Sequence, residues 1–159
     1  MIKELWTLIK MLFATRPSDF IYKDMEVITM EHFPFKGYKA MSWCGKIIHR
    51  KGVGEVDSKT LNHESIHVLQ ACYYAGDSWT KYYIMYLWEW LRYGFIAPIS
   101  ANYYVSKWES QAYAHEDDVN YCLEFVEDDI DKYSVKRAKK KWRELGGTSR
   151  DWKSYIKTL

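Results

Sequence analysis

The chain of 159 residues has little cysteine, little proline and almost no net charge. Its three cysteines, Cys44, Cys72 and Cys122, match no zinc-ligand spacing, so we expect reduced thiols in a reducing compartment. A formal net charge of +2 gives no reason to expect a nucleic-acid partner. Only three prolines and eight glycines are present, and no run of them marks a linker. We therefore expect a single domain over residues 1–159.

The sequence also lacks an uninterrupted apolar run of membrane-spanning length. The longest candidate, residues 82–99, contains Glu89 and Arg92. The apolar N-terminal stretch contains Glu4 and Lys10, which is not typical of a cleaved signal peptide, so we expect a cytoplasmic protein. Eight tryptophans and fourteen tyrosines indicate an aromatic core, a groove or a membrane contact. A peripheral membrane contact or a dimer interface therefore stays open, and the sequence does not define the oligomeric state.

The order of the hydrophobic patterns predicts an α+β fold with a small mixed sheet. Apolar spacing predicts a helix over residues 2–14, and alternation near residues 24–29 predicts a strand. A second strand is predicted over residues 40–50. Further helices are predicted over residues 59–75, 79–93, 104–126 and 135–145. The helix over 79–93 is strongly aromatic, and the last helix is basic.

Charge is segregated towards the end of the chain. Residues 116–131 contain eight acidic side chains and no Lys or Arg, whereas residues 132–159 contain ten basic and two acidic ones. We interpret these segments as two solvated helical faces that attract one another. A basic interaction surface is the alternative.

The residues that indicate chemistry are His63, Glu64 and His67, in the pattern His-Glu-x-x-His. They lie on the predicted helix 59–75, where side chains four residues apart share one face. Two imidazoles at that spacing can bind one tetrahedral zinc ion. The glutamate beside the first histidine can take a proton from a water molecule at the metal.

A catalytic zinc ion needs a third protein ligand. Six residues after His67 the sequence has Tyr73, which excludes the three-histidine arrangement of the metzincins. A carboxylate from another helix is the other solution. Glu109 is the best candidate, because its neighbours Trp108 and Ala112 favour an inward-facing side chain.

With these residues, the sequence resembles the gluzincin group of zinc metallopeptidases. The signature of that group is HExxH followed downstream by a helix with Glu-x-x-Ala or Glu-x-x-x-Asp. The matching segments are HESIHVLQ at 63–70 and ESQAYAHE at 109–116. Small bacterial zincin-like proteins with HExxHxxQ and a later Glu-x-x-Ala-Tyr are also similar. Residues 41–48 resemble the edge strand of such folds, so the resemblance covers about half the chain, residues 40–116.

The resemblance implies that His63, His67 and Glu109 hold Zn²⁺ and that Glu64 is the general base. It also implies a zincin-like fold, in which a small mixed sheet packs on the active-site helix. A long aromatic helix, a glutamate helix and a basic C-terminal helix would complete it.

The sequence departs from the gluzincin pattern at Tyr113, where many gluzincins have an aspartate that supports a zinc-bound histidine. Glu116, on the same helical face as Glu109, is predicted to supply that support instead. The match to HExxHxxQ makes Gln70 a second supporting residue. We expect Tyr113, or alternatively His115, to donate a hydrogen bond to the oxyanion of a tetrahedral intermediate.

The sequence therefore predicts a minimal zinc metallopeptidase acting on a peptide or protein substrate. An edge strand at residues 41–48 is expected to bind an extended substrate by strand addition. Two alternatives stay open. One is a zinc-binding protein without hydrolytic activity, and the other is a metal-free helical protein that uses its aromatic surface at a membrane or a partner.

Overall fold

The α+β class predicted from the order of elements is confirmed in a computed structural model of the chain. It describes residues 1–21, 25–34, 36, 38–94, 106–125 and 130–133. The helices are α1 (Ile2–Ala14), α2 (Ser58–Tyr73), α3 (Trp79–Gly94) and α4 (Lys107–His115), and the strands are β1 (Val27–Met30), β2 (Ala40–Trp43) and β3 (Lys46–Arg50). Short 3-10 helices lie at Pro17–Phe20 and Ile130–Tyr133. The predicted basic helix 135–145 lies outside the described residues.

The sheet has three strands, with β3 in the centre, parallel to β1 and antiparallel to β2. The prediction of one strand over residues 40–50 was wrong, because Cys44 and Gly45 form a two-residue turn between β2 and β3. Their φ angles are 48° and 78°, and two positive values are typical of the turn that matches the twist of a hairpin. A side chain at Gly45 would also overlap the ring of Phe20, so only glycine fits there.

The central element is α2, which packs against β2, α3 and α4. It begins at Asp57, whose side chain accepts a hydrogen bond from the backbone N–H of Thr60 at 2.7 Å. The core beside it is aromatic, which accounts for part of the tryptophan and tyrosine content. Its buried aromatic members are Trp79, Tyr82, Trp108 and Tyr133.

The fourth helix is shorter than predicted, because α4 ends at His115 and not near Val126. The chain then turns through residues 116–124. Asn62 of α2 holds this turn, since its side-chain Nδ2 donates to the backbone oxygens of His115, Glu116 and Asp118. They add to the backbone hydrogen bonds of this turn, in which the His115 carbonyl accepts from Asp118 N–H and the Asp118 carbonyl accepts from Tyr121 N–H.

Among the described residues, no helix is both long enough and apolar enough to cross a membrane.

Candidate metal centre

Two helices bring together the three predicted metal ligands. His63 and His67 lie on one face of α2 with their ring centroids 5.0 Å apart, and α4 supplies Glu109. The Nε2 atom of His63 lies 3.3 Å from Glu109 Oε2, and that of His67 lies 3.5 Å from Oε1. All three side chains are buried, and their ligand atoms lie within 4.8 Å of one another. This group could hold one metal ion.

Gln70 joins the two helices that carry the centre. This fully buried side chain of α2 donates from Nε2 to the backbone oxygen of Trp108 at 2.8 Å and to Gln111 Oε1 at 2.9 Å. Gln111 donates in turn to the hydroxyls of Tyr74 and Tyr121. The register of α4 against α2, and with it the position of the predicted ligand on α4, rests on these bonds.

The same hydrogen bonds determine which nitrogen of His67 faces the centre. The carbonyl of Trp108 can only accept, so the amide nitrogen of Gln70 faces that carbonyl and its oxygen faces His67. That oxygen lies 2.8 Å from His67 Nδ1 and also accepts from the hydroxyl of Tyr82 at 2.9 Å. The proton of the neutral imidazole is therefore on Nδ1, and the lone pair of Nε2 points to the centre.

His63 is supported by a charged group. Its Nδ1 lies 3.2 Å from Glu116 Oε2, an oxygen of a buried carboxylate that can only accept when ionised. The other oxygen of Glu116 lies 3.2 Å from the ammonium group of Lys59, which also pairs with Asp117. His63 therefore also turns Nε2 towards the centre. The structure thus brings both predicted supporting residues, Glu116 and Gln70, into contact with the histidines.

Glu109 has the surroundings of a cation ligand. Its Oε1 accepts a hydrogen bond from the hydroxyl of Tyr86. Its Oε2 is buried, and apart from the Nε2 of His63 at 3.3 Å it has no hydrogen-bond partner among the residues that the structure describes. A buried carboxylate oxygen in that state, facing the Nε2 atoms of two histidines, fits the donor set of a divalent metal ion.

The charges of the centre shift its pKa values in the metal-free chain. Burial by itself lowers the pKa of His63, but the carboxylates of Glu109 and Glu116 outweigh it and raise the value to about 10. Burial by itself raises the pKa of the Glu109 carboxyl, but His67 and His63 bring it below its ordinary value. A proton on His63 therefore occupies the place that a metal ion would take, and metal binding must release it.

Glu64 connects the centre to the edge of the sheet. Its Oε2 accepts a hydrogen bond from the backbone N–H of Ser42, on edge strand β2, at 2.6 Å. Burial raises the pKa of this carboxyl, although His67 and His63 oppose the shift. Of the predicted edge strand 41–48, only the β2 part lies at the edge, because β3 is the central strand.

The two candidate oxyanion donors lie in different surroundings. The ring of Tyr113 packs against His63, with centroids 4.7 Å apart, so it lies beside the centre. The ring of His115 stacks on Tyr121 at 3.8 Å, and its Nε2 lies 2.7 Å from the hydroxyl of Tyr133. Tyr113 is therefore the better placed of the two, and its catalytic role stays a prediction.

Four further contributors to the centre were not predicted from the sequence: Ser42, Tyr82, Tyr86 and Gln111. A signal exists for two of them. Tyr82 and Tyr86 lie four residues apart on α3, so one face of this strongly aromatic helix presents two hydroxyl groups. Ser42 and Gln111 have no local signal, because Ser42 acts through its backbone N–H and Gln111 acts through Gln70 on the neighbouring helix α2.

Comparison of the chain with protein-family models, with curated proteins and with solved structures finds no match.

Proposed function

We propose that the chain is a zinc-dependent peptidase of the gluzincin type, in which His63, His67 and Glu109 hold the metal. The observation that carries the proposal is the orientation of the two imidazoles. Each one gives Nδ1 to an acceptor side chain and turns Nε2 towards the same carboxylate. Histidines that bind zinc are oriented by such acceptors, and two histidines with one glutamate form a known catalytic zinc set.

The proposed fold is zincin-like. The helix that bears HExxH, α2, would be the active-site helix, β2 the edge strand beside it, and α4 the glutamate helix. The bond from Ser42 on β2 to Glu64 on α2 supports this assignment, because it puts the strand edge next to the proposed base.

Each polar group would have one task in hydrolysis. Zinc bound at the centre would supply a Lewis acid, which lowers the pKa of water and polarises a peptide carbonyl. Glu64 would remove a proton from the attacking water and deliver it to the leaving amine. The Ser42 N–H orients the carboxylate of this base, and Tyr113 donates to the oxyanion.

The test is the replacement of Glu64 by Gln, which keeps the shape of the side chain and removes the base. We expect zinc-dependent cleavage of a quenched fluorescent peptide library to fall by about 10²–10⁴-fold, while zinc content is unchanged. Glu55→Gln makes the same chemical change at an exposed position and should keep full activity. Full zinc-dependent hydrolysis by Glu64→Gln would exclude the mechanism.

A zinc protein without hydrolytic activity is the second candidate, and one contact favours it. The hydrogen bond from Ser42 gives Glu64 a structural partner, so the glutamate has a use other than catalysis. If zinc only holds α2 and α4 together, a chelator should abolish the far-ultraviolet circular dichroism of the helices. If zinc is catalytic, the chelated chain should stay folded and lose only activity.

A further inference from the structure

Besides the face that packs on the core, α1 has a second apolar face. Five large apolar side chains, between 37% and 80% exposed, form one stripe along it: Ile2, Leu5, Trp6, Ile9 and Phe13. The core-facing side of the same helix carries Leu8, which is buried, and Met11 and Leu12, which pack on the hydrophobic clusters. The stripe therefore does not serve the core of the described chain.

The neighbouring helix α3 has the same two-sided character. Its outer stripe consists of Ile84, Leu87, Trp88 and Leu91, between 39% and 67% exposed. Its inner face carries Tyr82 and Tyr86, whose hydroxyls contact the metal centre. The two helices are adjacent, because the indole N–H of Trp79 on α3 donates to Thr15 at the end of α1.

The exposed charges on the described parts of these two helices have one sign. Lys3 and Lys10 on α1 and Lys81 on α3 are exposed. The acidic side chains are turned away: Glu4 accepts from the Glu31 amide and pairs with His32 on the body of the protein, and Glu89 is buried. Among the described side chains of α1 and α3, every exposed charged group is therefore a lysine.

We propose that the outer faces of α1 and α3 bind the surface of an anionic membrane. An amphipathic helix that exposes tryptophan and aliphatic side chains, with lysines at the border, lies in the interface between headgroups and acyl chains. The apolar groups enter the acyl boundary, and the lysines reach anionic headgroups. The formal net charge of the whole chain, +2, does not oppose attraction to such a surface.

A second copy of the chain fits this surface less well. In a two-fold symmetric contact the same patch meets itself, so the only exposed charged groups that the described parts of these helices could bring together are lysines. Exposed acidic groups that could pair with them are missing from the described parts of both helices. An anionic lipid surface supplies the opposite charge at every point of contact.

The first experiment is flotation of the full chain with vesicles of 70% phosphatidylcholine and 30% phosphatidylserine, beside pure phosphatidylcholine vesicles. We expect binding to the anionic vesicles, at least about tenfold weaker binding to the neutral ones, and release as salt is raised. Failure to bind the anionic vesicles at low salt would overturn the proposal.

A matched pair of variants separates the stripe from net charge. Phe13→Glu puts a carboxylate on the stripe, whereas Ala14→Glu puts the same charge on the next residue, also exposed but about 100° around the helix. We expect Phe13→Glu to weaken vesicle binding by about tenfold or more, because the ring of Phe13 no longer enters the acyl boundary of the membrane. Ala14→Glu should weaken it by less than about threefold.

Two outcomes would contradict the proposal. Equal losses in the two variants would show that the stripe makes no contact with lipid. A dimer in sedimentation equilibrium that Phe13→Glu alone dissociates would assign the face to a second copy. Because the surface and the metal centre lie on opposite sides of α3, Glu109→Gln should bind vesicles as the wild type does, so a failure of the peptidase proposal leaves this test unaffected.

Discussion

The two histidines of the candidate metal centre are oriented by different kinds of side chain, one charged and one neutral. On the charged side, His63 faces Glu116, which is backed by Lys59. On the neutral side, His67 faces the amide of Gln70, which donates to Trp108 and Gln111 on α4. Both arrangements turn Nε2 towards Glu109, so a neutral amide orients a histidine here as a carboxylate does.

The two sides differ in what they contribute: Glu116 contributes charge to its histidine, and Gln70 contributes the position of α4 against α2. A carboxylate acceptor forms a stronger, charge-assisted bond and makes the imidazole a more basic ligand. Gln70 supplies less charge, but its amide nitrogen binds the backbone oxygen of Trp108 and so ties α4 to α2. We therefore expect changes on the charged side to alter metal affinity and protonation, and changes on the neutral side to alter folding as well.

The largest loss of zinc affinity is expected at Glu109, the carboxylate that both histidines face. Glu109→Gln removes the negative charge that both Nε2 atoms face. Loss of a supporting residue typically weakens metal binding by about 10–100-fold, so loss of this ligand should exceed about a hundredfold. Competition with a chromophoric zinc chelator measures the dissociation constant. An affinity equal to that of the Glu55→Gln control would remove Glu109 from the ligand set.

Gln70→Leu is expected to have the next largest effect, a loss of stability, and it tests the role of the neutral amide beside His67. It removes the hydrogen bonds of Gln70 to the Trp108 carbonyl and to Gln111 Oε1, and its contacts with the Tyr82 hydroxyl and His67 Nδ1. The last two groups lie 3.1 Å apart and can still pair with each other. Each buried polar group left unpaired costs about 1–3 kcal/mol. The free energy of unfolding of the metal-free chain, measured by urea denaturation, should therefore fall by at least about 1–3 kcal/mol. If stability is unchanged and only zinc affinity falls, the assignment of a positional role to this side is wrong.

Glu116→Gln tests the charged side with a smaller expected change. The amide oxygen can still accept from His63, but the charge is lost. We expect zinc to bind about tenfold more weakly, with less change in the free energy of unfolding than Gln70→Leu produces. Paired chelator titrations and urea curves on both variants give the comparison. A reversed order, with Glu116→Gln the more destabilising, would show that the charged side also holds the fold.

The smallest effect is expected in how the stability of the metal-free chain depends on pH, because Glu116 contributes to the charge around His63. Burial alone lowers the pKa of His63, but Glu109 and Glu116 raise it from 6.5 to about 10. A raised pKa in the folded state stabilises the protein fully below pH 6.5, and that stabilisation is lost as the pH rises to about 10. Urea curves in chelator across this window should show falling stability, with a shallower fall in Glu116→Gln. Identical slopes in the two proteins would contradict the assignment.

The features that the sequence predicted are local ones. α2 was predicted within two residues at each end, because its cap at Asp57 and its apolar spacing lie within the segment itself. The pair His63 and His67 follows from the same periodicity. Glu109 was selected by its apolar neighbours, and its prediction as a ligand still awaits a metal measurement.

The features that were missed depend on contacts between distant segments. The turn after α4 is bound by Asn62, more than 50 residues earlier in the chain, and the residues near Val126 carry no signal of that contact. The turn at Cys44 and Gly45 was hidden because apolar residues continue on both sides of it. The hydroxyl of Tyr86 reaches Glu109 only through the packing of α3 on α4, which periodicity does not describe.

Metal content of the purified chain tests the central claim most directly. Elemental analysis of the wild type and of Glu109→Gln, both purified without added metal, should find one zinc ion per wild-type chain and much less in the variant. A well-folded wild-type protein without zinc, and unable to take it up from buffer, would contradict the metal centre and the peptidase proposal built on it.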